Sequence, residues 1–140
     1  MSDGTAVVDH PPMTVTHQGG DRFEIAVRGH TLTVDQPEAM GGEDTAPTPT
    51  ELFVASLASC VAFYARRYLS RHDLPLEGLR VEASYEMGTK PSRVSNFDVK
   101  VHLPVGVPED RHKALFAMVN ACTVHSTLHN EPEVSIQLVP

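Results

Sequence analysis

The sequence predicts an α+β fold built from antiparallel strands and one long, mostly apolar helix. Segments that alternate apolar and polar residues precede and follow this helix, and short turns join them, which is typical of antiparallel hairpins. The helical segment has no wide polar face until its last turns. The predicted order is βββ-α-ββ-α-β, which belongs to the α+β class.

Three short strands are predicted near the N-terminus. Residues 13–17 alternate weakly, and Arg22–Val27 and residues 31–35 alternate clearly, so the three form a β-meander. Residues 1–12 end in Pro-Pro and are expected to form a flexible arm. Residues 13–140 have the length of a single domain.

The long helix is predicted to begin at Thr48 and to follow an irregular segment, residues 36–47, whose length is typical of a functional loop. Thr48 can cap the helix, Pro49 suits its first position, and Glu51 completes the capping-box pattern. The residues that follow are apolar on nearly all sides, which predicts a buried helix. Its small residues in the middle would let another backbone approach closely.

The second half of the chain predicts a hairpin and then helices. Residues 79–87 and 97–103 alternate and form the hairpin. Pro108 and two acidic residues start a helix, the pattern changes near Asn120, and a short further helix follows. Residues 134–138 alternate and predict a final strand.

The composition limits the classes of function. A formal net charge of −7 with no basic stripe argues against nucleic-acid binding. We see neither an apolar run of membrane-spanning length nor a secretory signal, so we expect no membrane partner and a cytoplasmic location. The two cysteines, Cys60 and Cys122, would not normally form a structural disulfide there, where such pairs tend to be catalytic or redox-sensing. A lone core cysteine is otherwise a small apolar residue.

Two segments carry a resemblance to a known family. Pro49 is followed by Glu-Leu, an Ala/Ser-rich run and Ala-Ser-Cys60, and some sixty residues later the chain reads Ala-Cys122-Thr-Val-His-Ser-Thr-Leu. Over about residues 13–139 the chain resembles the OsmC/Ohr family of osmotically inducible and organic-hydroperoxide-resistance proteins of bacteria. The resemblance implies an intertwined homodimer, in which sheets wrap around two central helices and the active sites lie at the subunit interface.

The resemblance also implies a thiol-dependent peroxidase that reduces organic hydroperoxides, and hydrogen peroxide as well. Cys60 would be the peroxidatic residue, whose thiolate attacks the O–O bond. Cys122 would resolve the sulfenic acid by forming a disulfide, and the helix start beside it would stabilise its own thiolate. A thiol reductant, of the dihydrolipoyl type in the peroxidase branch, would then reduce the disulfide.

Two further family roles are an arginine that supports the thiolate and a glutamate that orients the arginine. The family's glutamate lies ten residues before the first cysteine, where this chain has Thr50. Glu51, one residue later, is the candidate, although the capping box gives it another role. Arg22 and Arg28 are the candidates for the arginine, with Arg22 one position out of register. The chain therefore resembles a divergent branch of the family.

Two alternatives come from other classes of function. His125 and His129 are spaced i, i+4, and with Cys122 and Cys60 they would give a tetrahedral zinc site. Otherwise His125 belongs to the family-like Cys-x-x-His segment and His129 caps the helix end. We expect no metal and no cofactor. The second alternative is a non-enzymatic dimeric stress-response or small-molecule-binding protein on the same fold, which the absence of the glutamate at position 50 favours.

Overall fold

The architecture comes from a computed structural model, which describes residues 10–140. Within that range the chain has antiparallel sheets and three α-helices, so the predicted α+β class is confirmed. Its contacts divide it into two compact units, residues 1–52 and 53–140, and each is described by itself. Most of the predicted arm, residues 1–9, lies outside the described residues. The single domain over 13–140 stays a prediction.

The first unit contains a three-stranded antiparallel sheet in the order β1-β2-β3, which confirms the meander. Ile25 in the central strand pairs with Val15 on one side and with Leu32 on the other. The predicted bounds are accurate to within two residues, because alternation with period two is a local property of a strand. The strands are β1 (Thr14–Gly19), β2 (Arg22–Val27) and β3 (His30–Val34).

A buried carboxylate organises the segment between β3 and the long helix. Asp35 is 2% exposed, and its carboxylate accepts hydrogen bonds from the Gln36 amide (2.7 Å), the Thr45 amide (3.0 Å) and the Thr45 hydroxyl (2.6 Å). These donors, the Thr45 hydroxyl first, lower the pKa of Asp35 to about 2. A Cβ at Gly42 would overlap the carbonyl oxygen of Gln36, so the fold requires glycine there. The segment includes one 3₁₀ turn, Glu38–Met40.

The long helix α1 spans Pro49–Arg71, as predicted. The predicted burial on nearly all sides is wrong within this chain. Phe53 and Phe63 are exposed, the latter by 54%, because the chain supplies packing partners for only one stripe of the helix. The buried positions follow helical spacing and are Val54, Leu57, Val61, Ala65, Tyr68 and Leu69.

By length and composition alone α1 is apolar enough to cross a membrane, which the sequence analysis did not anticipate. One such helix is weak evidence, since core helices of soluble proteins share this property. The buried part of α1, about a third of that apolar stretch, packs into a protein core.

The second unit packs a hairpin and two further helices with α1. Leu57, Val61 and Leu69 of α1 share a core with Leu115 and Val119, and half-buried Val81, Val99 and Val101 of the hairpin pack against it. The kink near Asn120 and the short helix beyond it are confirmed. The elements are β4 (Arg80–Gly88), β5 (Arg93–His102), a 3₁₀ turn (Glu109–Arg111), α2 (His112–Asn120) and α3 (Thr123–His129).

The predicted final strand over residues 134–138 is wrong for the single chain. No regular structure follows Asn130, and Leu138 is 95% exposed. Val134 and Ile136 are exposed as well. The alternation is real, but a strand forms only when a neighbouring strand pairs with it through hydrogen bonds, and among the described residues no strand pairs with this segment.

Candidate functional site

The two cysteines, far apart in sequence, belong to one hydrophobic cluster. Cys60 lies about three turns into α1 and is half-buried, whereas Cys122 has no exposed surface. Both are free thiols, and the Cys60 side chain lies close enough to Cys122 to affect its ionisation. The predicted pair is therefore brought together in space.

Cys122 is the N-cap residue of α3, and its sulfur accepts a hydrogen bond from the backbone N–H of His125 at 3.4 Å. That bond favours the thiolate, as the sequence analysis expected. Burial works in the opposite direction and outweighs it, and the neighbouring Cys60 thiol adds to the rise, so the pKa of Cys122 is raised. The helix start therefore favours the thiolate of Cys122, but burial has the larger effect on its pKa.

A second long-range contact holds the two cysteine segments together. The Tyr64 hydroxyl, one helical turn after Cys60, lies 2.9 Å from the hydroxyl of Thr123, the residue after Cys122. Tyr64 was not among the site residues predicted from the sequence. Its i+4 spacing from Cys60 was visible, but its partner is 59 residues away and only the fold brings the two together. The contact restrains the approach of α3 to α1 at the thiols.

Glu51 forms the capping box that its spacing predicted. Its Oε1 accepts from the Thr48 amide at 2.8 Å, and its own amide donates to Thr48 Oγ1 at 3.0 Å. Its neighbour Thr50 lies in the same first turn of α1.

Arg22 opens β2, and Arg28 lies in the turn between β2 and β3 with a positive φ of 48°. Both arginines and Glu51 belong to the first compact unit, and both cysteines belong to the second. The catalytic roles of Glu51 and of either arginine remain predictions.

The second unit also contains an open cavity of about 940 Å³. Leu57 and Val61 of α1, which flank Cys60, line one side, and Phe97 of β5 and Phe116 of α2 line others. His125 reaches the same cavity from α3. Most of the lining side chains are apolar, so the cavity suits an apolar molecule or an apolar protein segment.

The four-ligand zinc site is not assembled. Among residues 10–140 no group of three or more histidine, cysteine, aspartate or glutamate side chains could hold a metal ion. Cys122 is turned into the core, whereas the rings of His125 and His129 meet each other outside it.

Comparison with known proteins agrees with the fold. The family model described as OsmC-like protein matches residues 41–137. A crystal structure from Psychrobacter arcticus 273-4, of a protein assigned to the osmotic stress and detoxification response, is 22% identical with a TM-score of 0.79, covering 88% of this chain and 91% of that one. An OsmC-like protein from Mycoplasma pneumoniae is 16% identical with a TM-score of 0.71 (89% and 91% covered). An organic hydroperoxide resistance protein from Elizabethkingia anophelis is 19% identical with a TM-score of 0.61 (89% and 93% covered). No curated relative matches this sequence.

Proposed function

Because the chain belongs to the OsmC-like protein family, we propose that it is a thiol-dependent peroxidase that reduces organic hydroperoxides. The observation that carries the proposal is the proximity of half-buried Cys60 to fully buried Cys122. Several structural neighbours are organic hydroperoxide resistance proteins, which supports the same class of substrate.

The reaction proceeds in two steps. The Cys60 thiolate attacks one oxygen of the hydroperoxide, the O–O bond breaks, and the protein gains a Cys60 sulfenic acid while an alcohol leaves with one added proton. The Cys122 sulfur then attacks the Cys60 sulfur, and water leaves as the disulfide forms. A dithiol reductant, for which a dihydrolipoyl group is our candidate, returns both thiols and is itself oxidised.

The surroundings of the two cysteines support the proposed order in which they react. A peroxide reaches a half-buried sulfur more easily than one with no exposed surface, which favours attack by Cys60. Burial raises the pKa of Cys122, which disfavours its thiolate as the first nucleophile. We also propose a cytoplasmic location, where reducing conditions would return both thiols after each cycle.

The decisive experiment follows both thiols through one turnover. The reduced protein receives one equivalent of cumene hydroperoxide, and intact mass is measured before and after alkylation. We expect a loss of about two mass units and the disappearance of both alkylatable thiols, as formation of one disulfide requires. Two thiols that remain alkylatable would overturn the peroxidase proposal.

Single substitutions separate the two roles. Cys60→Ser should abolish peroxide consumption. Cys122→Ser should consume one equivalent to form the Cys60 sulfenic acid and then stop, and any further peroxide would be consumed only by over-oxidation of Cys60. Normal turnover by Cys60→Ser would show that the assignment is wrong.

The supporting arginine is tested by a matched pair of variants. Arg22→Ala should slow the reaction if Arg22 supports the thiolate, and Arg28→Ala is the control in the neighbouring turn. If only Arg28→Ala slows the reaction, the role belongs to Arg28, and if neither does, no role for these arginines remains.

Thr50→Glu should raise the rate if the missing carboxylate limits the site, and an unchanged rate would contradict that idea.

We further propose that the working protein is an intertwined homodimer. The exposed side of α1 carries Phe63, α2 carries Phe116 (67% exposed), and the alternating C-terminal segment ends in exposed Leu138. A second copy would cover such apolar surface and could offer a strand to that segment. Light scattering after gel filtration should give twice the chain mass. Phe63→Glu should produce monomers, and a wild-type monomer would refute the dimer.

The cavity favours a second candidate function, a binding protein for apolar small molecules that does not turn them over. Its volume of about 940 Å³ and its apolar lining beside α1 are suited to such a ligand. The mass experiment separates the two candidates, because a binder would keep both thiols alkylatable after exposure to the hydroperoxide.

A further inference from the structure

The histidines of α3 form a close pair that the proposed peroxidase chemistry does not use. The Nε2 atoms of His125 and His129 are 2.9 Å apart, and their ring centroids are separated by 4.6 Å. His125 is half-buried and His129 is exposed, so solvent and small ions can reach the pair. The two Nε2 atoms therefore lie side by side at an accessible position.

The distance between the Nε2 atoms of His125 and His129 is short enough for both to bind one metal ion. Metal–imidazole bonds are about 2.0–2.1 Å long. Two nitrogens 2.9 Å apart at that bond length subtend an angle of about 90° at the metal. An angle near 90° suits neighbouring positions of a square-planar or octahedral centre and is smaller than a tetrahedron requires. We propose that His125 and His129 form a two-histidine chelating site for a divalent transition metal, with Ni²⁺ and Cu²⁺ preferred over Zn²⁺.

The end of the helix favours a cation there. His129 is the last residue of α3, where the partial negative charge of the helix dipole attracts positive charge. The formal net charge of −7 adds a general attraction for cations. The Asn130 side chain donates to the Ser126 carbonyl at 2.9 Å, and the Thr127 hydroxyl donates to the Thr123 carbonyl at 2.8 Å. These bonds hold the turn that carries both rings.

Metal binding replaces the contact between the rings. In the metal-free pair one Nε2 carries a hydrogen and donates it to the other. In the chelate both Nε2 atoms offer lone pairs, so each ring keeps its hydrogen on Nδ1. Since residues 10–140 offer no third histidine, cysteine or carboxylate within reach, water completes the coordination.

The site also links two turns of a short helix. A helix of seven residues is marginal by itself. A metal that joins positions i and i+4 binds only the helical form, so it should stabilise the folded protein by mass action. This gives the test a second readout that does not depend on any enzymatic activity.

The test is calorimetric titration of the untagged, reduced full-length protein with Ni²⁺ at neutral pH. Ni²⁺ is the probe because Cu²⁺ would oxidise the thiols. We expect one Ni²⁺ per chain and a rise in Tm with Ni²⁺ concentration. His129→Gln should weaken binding by at least about tenfold, since even the loss of a partner outside the ligand set costs that much. His30→Gln, which alters an exposed histidine of β3, is the matched control and should bind as the wild type does.

Equal Ni²⁺ binding by the wild type and His129→Gln would overturn the proposal, as would the absence of saturable binding. Zn²⁺ binding tighter than Ni²⁺ would contradict the proposed coordination angle. The titration uses no peroxide, so its outcome is independent of whether the protein is a peroxidase.

Discussion

The capping box of α1 allows a direct test of what Glu51 does. The side chains of Thr48 and Glu51 each accept a hydrogen bond from the other's backbone amide, at 3.0 and 2.8 Å. Loss of an N-cap side chain costs about 0.5–2 kcal/mol. Both bonds are at exposed positions, where water can replace a lost partner, so we expect about 1 kcal/mol for Thr48→Ala. That corresponds to a fall in Tm of about 3–5 °C for a chain of this size.

Glu51→Gln keeps an oxygen acceptor, because glutamine also completes a capping box. It removes only the favourable interaction of the charge with the helix dipole, about 0.3–1 kcal/mol. If Glu51 only caps the helix, Glu51→Gln should be more stable than Thr48→Ala and should consume hydroperoxide at the wild-type rate, whereas the predicted catalytic role requires a slower reaction. Glu38→Gln is a control for removal of one acidic charge at a helix start without a side-chain capping bond.

Stability should be measured by urea denaturation followed by circular dichroism, and the hydroperoxide rate should be measured on the same preparations. Thr48→Ala is the reference for a weakened cap. If Glu51→Gln lost the reaction while the less stable Thr48→Ala retained it, Glu51 would have a chemical role and the assignment to capping alone would be refuted. A double variant, Thr48→Ala/Glu51→Ala, should cost less than the sum of its parts, since the two residues act as one unit.

Two further predictions concern buried and long-range contacts. The native pKa of Asp35, about 2, lies below its ordinary value of 3.8, so the carboxylate takes up a proton in the unfolded chain before it does so in the folded one. The carboxylate therefore stabilises the fold fully above about pH 4, and this stabilisation is lost as the pH falls towards 2. Asp35→Asn should accordingly show a smaller drop in urea midpoint between pH 6 and pH 3 than the wild type, and equal drops would contradict the role of this carboxylate. Tyr64→Phe removes the hydroxyl that contacts Thr123, and it should slow disulfide formation about two- to tenfold, as the loss of a hydrogen bond worth about 0.5–1.5 kcal/mol implies. The rate of thiol loss after one equivalent of hydroperoxide measures this effect, Tyr85→Phe on β4 is the control, and an unchanged rate for Tyr64→Phe would show that the contact does not position the thiols.

The local elements of the fold could be predicted because their causes are local. The start of α1 depends on side chains within three residues of one another, and the structure contains both predicted capping bonds. The paired strands follow from alternation along a single segment. The family also followed from short segments around Cys60 and Cys122, and the matching family model covers residues 41–137.

Tertiary structure decided everything that depends on distant partners. The sequence could not place Cys60 beside Cys122, nor show that burial would outweigh the amide bond and raise the pKa of Cys122. The contact of Tyr64 with Thr123 is likewise absent from any local pattern. Residues 134–138 are a case in which the local pattern failed. Their alternation is that of a strand, yet they form no strand within the described chain. Alternation fixes which side chains share a face, whereas hydrogen bonds and desolvation depend on what the fold places beside them.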